Sequence, residues 1–388
     1  MEKRILSFGL VVFLSFGVFA TPTISDVKVT PIPPWGIAID YNLSGAEEVD
    51  SEDADSVVTL RVEAIDGGIT NVATSLSGEK DYRNGAHRVY WNMSKDGIAS
   101  KTTTGVVSVS YCRIIPRVYC IVDLSGGSET NTYPISYVYK PPSDGFTNEV
   151  YKTTKLVLKR VDAGSFIMGD DQSDESHRVT LTKSFYMGLF EVTQKQWELV
   201  MGSNPCSSTW YGAGDAYPVH YVSYNMIRGS SEGANWPATN SVDSSSFLGK
   251  LRDRTKLDFD LPTEAQWEYA CRAGTTTTYS YGDNANGDYM WYTGNSEDST
   301  HEVGTKKANP WGFYDMHGNV WEWCLDLDWN ASLMYGEDPK GSSSGWKRVF
   351  RGGCWFHAAN LCTSSYRGCN SWTSTANDLG FRLSLPIH

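Results

Sequence analysis

The sequence predicts a multidomain chain: an all-β sandwich of immunoglobulin or fibronectin type over residues 21–140, then an α+β unit with little regular secondary structure over residues 156–388. Three observations carry this. At 388 residues the chain exceeds one ordinary domain. Its first part alternates β-branched and polar residues in short runs between turn signals. Beyond Pro141-Pro142 the texture changes to capped helices and long loops rich in Trp, Tyr, Gly and Asn.

Residues 1–20 read as a secretory signal. Glu2-Lys3-Arg4 give a charged start, Ile5 to Phe19 an apolar run too short for a membrane span, and Val18-Phe19-Ala20 small residues at the cut. No Cys follows the cut to carry a lipid, and no later run is apolar enough to cross a bilayer. A secreted or periplasmic protein is expected. The formal net charge of −12 argues against a nucleic-acid partner, which would meet a basic face.

Strands are expected at Val27–Thr30, Ile37–Tyr41, Val57–Val62, Val106–Tyr111 and Val118–Asp123, with turns at Asp66-Gly67-Gly68 and Asp81 to Gly85. Cys112 and Cys120 would meet as a cross-strand disulfide if the last two of these strands pair. No constellation in this unit suggests chemistry, so a spacer or docking role is the default. Residues 141–155 hold Pro, Gly and Asp without apolar periodicity and read as a linker.

The second unit opens with strands at Leu156–Val161, Ala163–Gly169, Val179–Thr182 and Phe185–Phe190. Thr193-Gln194-Lys195-Gln196 is a capping box for a helix running through Met201 and ending at Gly202. Residues Ser244 to Lys256 hold a second helix with Phe247, Leu248 and Leu251 on one face. Thr263 caps a third, which stops at Gly274. Afterwards irregular structure is expected until the strand-like runs Val349–Trp355 and Leu379–Leu383. Long ordered loops need stabilisers and tend to be functional; aromatic packing, a metal and disulfides are the candidates.

Trp311 to Trp323 is the most informative stretch. Asp315 and Glu322 are hard oxygen donors, and Gly318-Asn319 is a turn pair able to aim carbonyls inward, as a Ca²⁺ site needs. The competing reading is a buried aromatic turn whose carboxylates bond to backbone. Eight Cys in an exported chain permit disulfides, and the lack of any CxxC pair gives a structural zinc site little support.

Six motifs in order are Gly164–Gly169 (GSFIMG), Glu191–Thr193 (EVT), Leu261–Tyr269 (LPTEAQWEY), Gly312–Trp323 (GFYDMHGNVWEW), Arg351–Gly353 (RGG) and Leu379–Arg382 (LGFR). Together they resemble the formylglycine-generating enzyme, or sulfatase-modifying factor, family. The resemblance implies a C-type-lectin-like fold from about Leu156 to Leu385. It implies a structural Ca²⁺ held by the side chains of Asp315 and Glu322 and the carbonyls of Gly318 and Val320. Active family members oxidise a sulfatase cysteine to formylglycine with O₂, using Cu⁺ on a C-x₄-C pair. The second position of that pair falls on Cys362 and the first on His357, while Cys354 stands where active members carry a Ser. Soft thiolates suit Cu⁺ and a His/Cys pair is a different ligand set. Cys354 and Cys362 form an alternative thiolate pair or a disulfide, and the resemblance also implies Cys271 paired with Cys369.

Two functions follow. One is the copper- and O₂-dependent oxidase acting on a sulfatase polypeptide. The other is a divergent member with lost or altered activity that binds a ligand or partner through variable loops, as lectin-like proteins diversified by retroelements do. The loop from Trp355 to Asn377 has the Trp, Tyr, Ser, Thr and Asn that suit adaptable recognition. Iron chemistry like that of the ergothioneine-forming sulfoxide synthases would need a His-rich helical domain, which the sequence lacks.

Overall fold

The computed structural model describes residues 23–32, 36–44, 58–66, 69–72, 76–78, 85–92 and 107–113, and then 118–387 apart from 139, 171–175, 207–208 and 328–334. The expected signal at residues 1–20, the turn residues 81–84 and the Cys112 side chain lie outside what is described. Two compact units divide the chain, Met1–Pro116 and Arg117–His388.

The first unit contains β1 (Thr23–Ile32), β2 (Gly36–Ser44), β3 (Val58–Asp66), β4 (Ile69–Val72), β5 (Leu76–Gly78), β6 (Gly85–Asn92) and β7 (Val107–Arg113). They pair as two antiparallel sheets, β1-β2-β6-β5 and β4-β3-β7. Asp40 lies opposite Arg88 in the β2–β6 register, and both nitrogens of the guanidinium fork reach its carboxylate. The β-rich composition is thus expressed as sheet.

The second unit begins earlier than the sequence suggested. β8 (Tyr119–Asp123), β9 (Ile135–Val138), β10 (Lys155–Val161) and β13 (Phe185–Gly188) join β19 (Ser384–Pro386) in one sheet of order β19-β13-β10-β8-β9. Cys120 lies opposite Leu158 of β10 and Tyr137 of β9. Residues 119–138 therefore belong with the second unit, not with a sandwich ending at residue 140. The 141–155 linker becomes a connection inside that unit, containing the short helix α1 (Val150–Thr153). Alternation of apolar residues marks a strand but not the sheet it joins, which explains the difference.

Local signals did fix three of the helices. α2 (Gln194–Met201) has the Thr193–Gln196 capping box, with Gly202 left-handed at its end. α3 (Tyr224–Arg228) was not expected; Ser223 caps it. α4 (Phe247–Thr255) turns Phe247, Leu248 and Leu251 inward. α5 (Glu264–Arg272) has the Thr263–Gln266 capping box. In the core Trp197 of α2 stacks on Phe247 of α4, with ring centroids 5.0 Å apart, and Phe381 meets both edge-on.

β11 (Gly164–Met168) and β12 (His177–Leu181) form a hairpin extended by β15 (Gly336–Glu337). A four-stranded sheet, β17-β16-β14-β18, is built from β14 (Trp321–Leu327), β16 (Lys347–Arg351), β17 (Arg367–Ser371) and β18 (Leu379–Gly380). Residues 275–320 contain no helix or strand apart from isolated bridges. Their stability comes from buried polar contacts. Asn309 donates to the carbonyls of Ala270 and Cys271 at 2.7 and 3.1 Å and accepts from the N–H groups of Trp311 and Phe313. Beneath them, Glu264, Glu268, Arg351, Arg272 and Arg367 form a chain of ion pairs between α5 and the sheet.

Among the described residues disulfides are not the stabiliser. The thiols of Cys206, Cys271, Cys324, Cys354 and Cys362 are unbridged and buried. Cys271 sits 3.7 Å from both the Met316 carbonyl and His317 Nε2, so its expected bridge to Cys369 does not form. Burial pushes its thiol up to about 12. Among the described residues no helix is long and apolar enough to cross a membrane.

Candidate functional site

Two polar clusters meet the residues singled out in the sequence. The first is the loop from Trp311 to Trp323. Asp315 and Asn319 have φ of 56° and 61°. At Gly318 an added Cβ would lie 1.9 Å from the Trp291 carbonyl, so only glycine allows this approach. The bend aims its polar groups inward. Glu191, wholly buried, accepts from Asn319 Nδ2 at 2.7 Å and from the Val320 N–H at 3.1 Å. Asp315 Oδ2 accepts from the Gly304 N–H at 2.6 Å, and its Oδ1 is buried with no partner. Glu322 is clamped by Arg382 through two bonds of 2.6 Å and also accepts from Trp267 Nε1 at 2.6 Å.

Burial, followed by the charges of Asp315 and Glu322, pushes Glu191 well above the usual carboxylate range. Burial likewise raises Asp315 to about 6. Calcium needs several open oxygens. Asp315 offers one, but both Glu322 oxygens are committed to a buried guanidinium, which no cation would approach. The set Asp315, Gly318, Val320 and Glu322 does not fit Ca²⁺ in this arrangement. The other sequence reading put both carboxylates on backbone groups; Asp315 does accept from a backbone N–H, while Glu322 is held by side chains.

The second cluster lies after β16, where Gly352 and Gly353 have φ of 100° and 76°. A Cβ at Gly353 would come within 2.4 Å of the Cys362 sulfur, so this glycine lets the 354–362 loop fold back on itself. The His357 N–H donates to the Cys354 carbonyl at 3.1 Å, and the turn brings Cys354 Sγ to 2.8 Å from His357 Nδ1. Asp378 Oδ2 approaches the same sulfur at 3.2 Å. Trp321 Nε1 donates to His357 Nδ1 at 3.1 Å, which makes that nitrogen an acceptor. Burial first, then the Asp378 charge, pushes the Cys354 thiol far up, so it stays protonated.

Cys362 is placed differently. It is fully buried beside Tyr279 and Met290, and its sulfur faces the carbonyls of Cys354 and Ala358 at 3.9 and 3.8 Å. Burial raises its thiol to about 12. His317 Nδ1 donates to the Cys362 carbonyl at 2.7 Å, while its Nε2 accepts from Ser280; burial holds this ring neutral, its pKa lowered to about 4. Cys354, His357 and Asp378 have ligand atoms all within 4.8 Å of one another, and Cys362 is not part of such a group. The spacing-based pair His357/Cys362 supplies one thiolate, so it does not fit the paired-thiolate Cu⁺ set. No disulfide joins Cys354 to Cys362. Asp378 and Glu191 went unnoticed as site residues, although each adjoins or opens a quoted motif.

A family model for the sulfatase-modifying factor enzyme 1-like domain matches residues 143–386. The chain belongs to this sulfatase-modifying factor family. A chaperone protein LppX from Paenibacillus barcinonensis is 31% identical over 261 residues, covering 59% of this chain and 88% of that one. The formylglycine-generating enzyme of Mus musculus is 28% identical over 59% of this chain and 74% of its own length. Among solved structures, Treponema denticola variable protein 1 is 29% identical with a TM-score of 0.51, covering 60% of this chain and 96% of that one. PvdO from Pseudomonas aeruginosa, at 22% identity and a TM-score of 0.50 over 60% of this chain and 94% of its own, agrees in fold. Proteins of different names thus share this fold, and the site must decide the function.

Proposed function

We propose that this protein is an exported, divergent member of the family that binds a ligand or partner through the surface around Cys354 and His357, its oxidase activity lost or altered. The observation that carries the reading is the replacement of a thiolate by the His357 imidazole, with that ring bonded to Cys354 and not grouped with Cys362. A copper oxidase needs two thiolates in reach of one ion, with room for the substrate thiolate as a further ligand. The neighbourhood suits recognition instead. Phe356 is 61% exposed and Tyr366 is also exposed, packed on Trp321, while Trp355 stacks on Tyr211. Aromatic side chains of this kind give contact area at low entropic cost. In this reading the N-terminal strands form a sandwich that serves as a spacer.

The second reading is the active oxidase acting on a sulfatase polypeptide. It is favoured by the 28% identity to the mouse enzyme over most of that enzyme's length. A Cys-x-Pro-x-Arg peptide incubated with copper-loaded protein, O₂ and reductant separates the two by mass spectrometry. We expect no multiple-turnover aldehyde formation. Turnover that Cys362→Ser abolishes would establish the oxidase.

A further inference from the structure

We propose that Cys354 Sγ, His357 Nδ1 and Asp378 Oδ2 form a site for one divalent transition-metal ion of the zinc class. The inference is separate from ligand or peptide binding, because metal uptake is read without either.

The ligand atoms come from residues whose backbone is fixed. The His357 N–H bonds the Cys354 carbonyl, the Trp355 N–H bonds the Asn319 carbonyl at 2.8 Å, and the Trp321 N–H bonds the Asp378 carbonyl at 2.7 Å. Among the described residues this is the one group of three or more His, Cys, Asp and Glu side chains close enough to share an ion. Cys354 is wholly buried, while His357 and Asp378 are half-buried, so the site is anchored on one side and open on the other. Three protein ligands with an open position is the arrangement of zinc sites that take water or substrate as the fourth ligand.

The charges choose between a metal and a nucleophile. A Cys–His pair used as a nucleophile keeps its carboxylate on the far side of the imidazole, where it orients the ring. Here the carboxylate lies against the sulfur instead. Asp378 and a Cys354 thiolate repel one another unless a positive charge lies between them. Without metal the thiol proton fills that place. A divalent ion would replace it, releasing the proton and drawing sulfur, carboxylate and imidazole together. The His357 Nδ1 lone pair, which now accepts from Trp321 and lies against the Cys354 sulfur, would turn to the ion; the indole contact is what binding gives up. The donor set selects the ion. One sulfur, one nitrogen and one oxygen suit borderline ions such as zinc or cobalt, whereas Cu⁺ favours paired sulfur and Ca²⁺ favours oxygen alone.

The reduced, metal-free full-length chain is titrated with Co²⁺, followed by Zn²⁺ competition. We expect one Co²⁺ per chain, with a thiolate-to-cobalt charge-transfer band that Zn²⁺ displaces. Cys354→Ser should remove the band. Asp378→Asn, nearly isosteric, and His357→Ala should each weaken binding at least about tenfold, as loss of partners at metal sites does. Cys362→Ser should leave it unchanged. Melting curves without metal check that each variant folds; should Cys354→Ser fail to fold, Asp378→Asn carries the test. Absence of the band, a band lost with Cys362→Ser in place of Cys354→Ser, or unchanged affinity in Asp378→Asn would each overturn the proposal.

Discussion

Arg382 shows how much one buried side chain holds in place. Its guanidinium meets both Glu322 oxygens at 2.6 Å and also donates to the carbonyls of Gly188 and Tyr314 at 3.1 and 3.0 Å. It thereby ties β14, the end of β13 and the 311–323 loop together. Removing one partner of such a pair leaves an uncompensated buried charge, which costs about 3–5 kcal/mol. Arg382→Ala should lose that much in urea unfolding, and adding Glu322→Gln should recover part of it. If the double variant is no more stable than the single, charge is not what the pair supplies. Asp326 offers a pH test. It is fully buried, its Oδ2 accepts from the Glu264 N–H at 2.6 Å, and its Oδ1 has no partner. Burial, then the Glu264 charge, raises it to about 7. A carboxyl raised on folding contributes stability that is full below its unfolded value near 4 and is lost as pH rises through 7. Between pH 5 and 8 the wild type should therefore lose more than about 1 kcal/mol relative to Asp326→Asn. Parallel pH profiles of the two would remove the assignment.

At the scale of elements, helix ends were readable because a cap is written in a few adjacent residues. Thr263 accepts from the Gln266 N–H at 3.1 Å, and Gln266 Oε1 accepts from the Thr263 N–H at 3.0 Å. α5 carries Glu264 and Glu268 into the ion-pair chain, so loosening its first turn should be felt there. Thr263→Ala should cost about 1 kcal/mol, and chemical denaturation measures it. A loss of a few tenths would mean that the ion pairs alone set the turn. β14 was missed for another reason. Trp321, Trp323, Leu325 and Leu327 alternate with Glu322 and Asp326, but the charged pair reads as loop or ligand positions, whereas the fold buries both faces of the strand. The spacing singled out was His357-x₄-Cys362, whereas the fold sets His357 against Cys354, with two residues between them in the unremarked run Cys354-Trp355-Phe356-His357. Asp378 was not visible, because it reaches the cluster from 24 residues away through the fold, and no local pattern marks such a contact. Glu322 was read as an open ligand because sequence gives no sign that Arg382 would claim it.

For the whole molecule, the decisive feature is where the second unit begins. The sequence breaks most visibly at Pro141-Pro142, yet the sheet that backs the core includes β8 and β9, which precede that break. β8 buries Cys120 and Val122 completely and lies between β10 and β9; Leu124 and Tyr133, just beyond the strands, are buried in the same core. Full burial of one such aliphatic or aromatic side chain contributes about 1.5–3 kcal/mol, while a domain's net stability is about 5–15 kcal/mol. Deleting residues 117–140 would remove several of these and expose the β10 edge, including Leu156 and Leu158, as an unpaired strand. A fragment of residues 117–388 should therefore melt cooperatively. One of residues 141–388, cut at the apparent linker, should aggregate or unfold without a transition. Differential scanning calorimetry on both decides the point. Equal transitions in the two would mean that β8 and β9 are dispensable additions, and that the break at Pro141 is the true start of the unit.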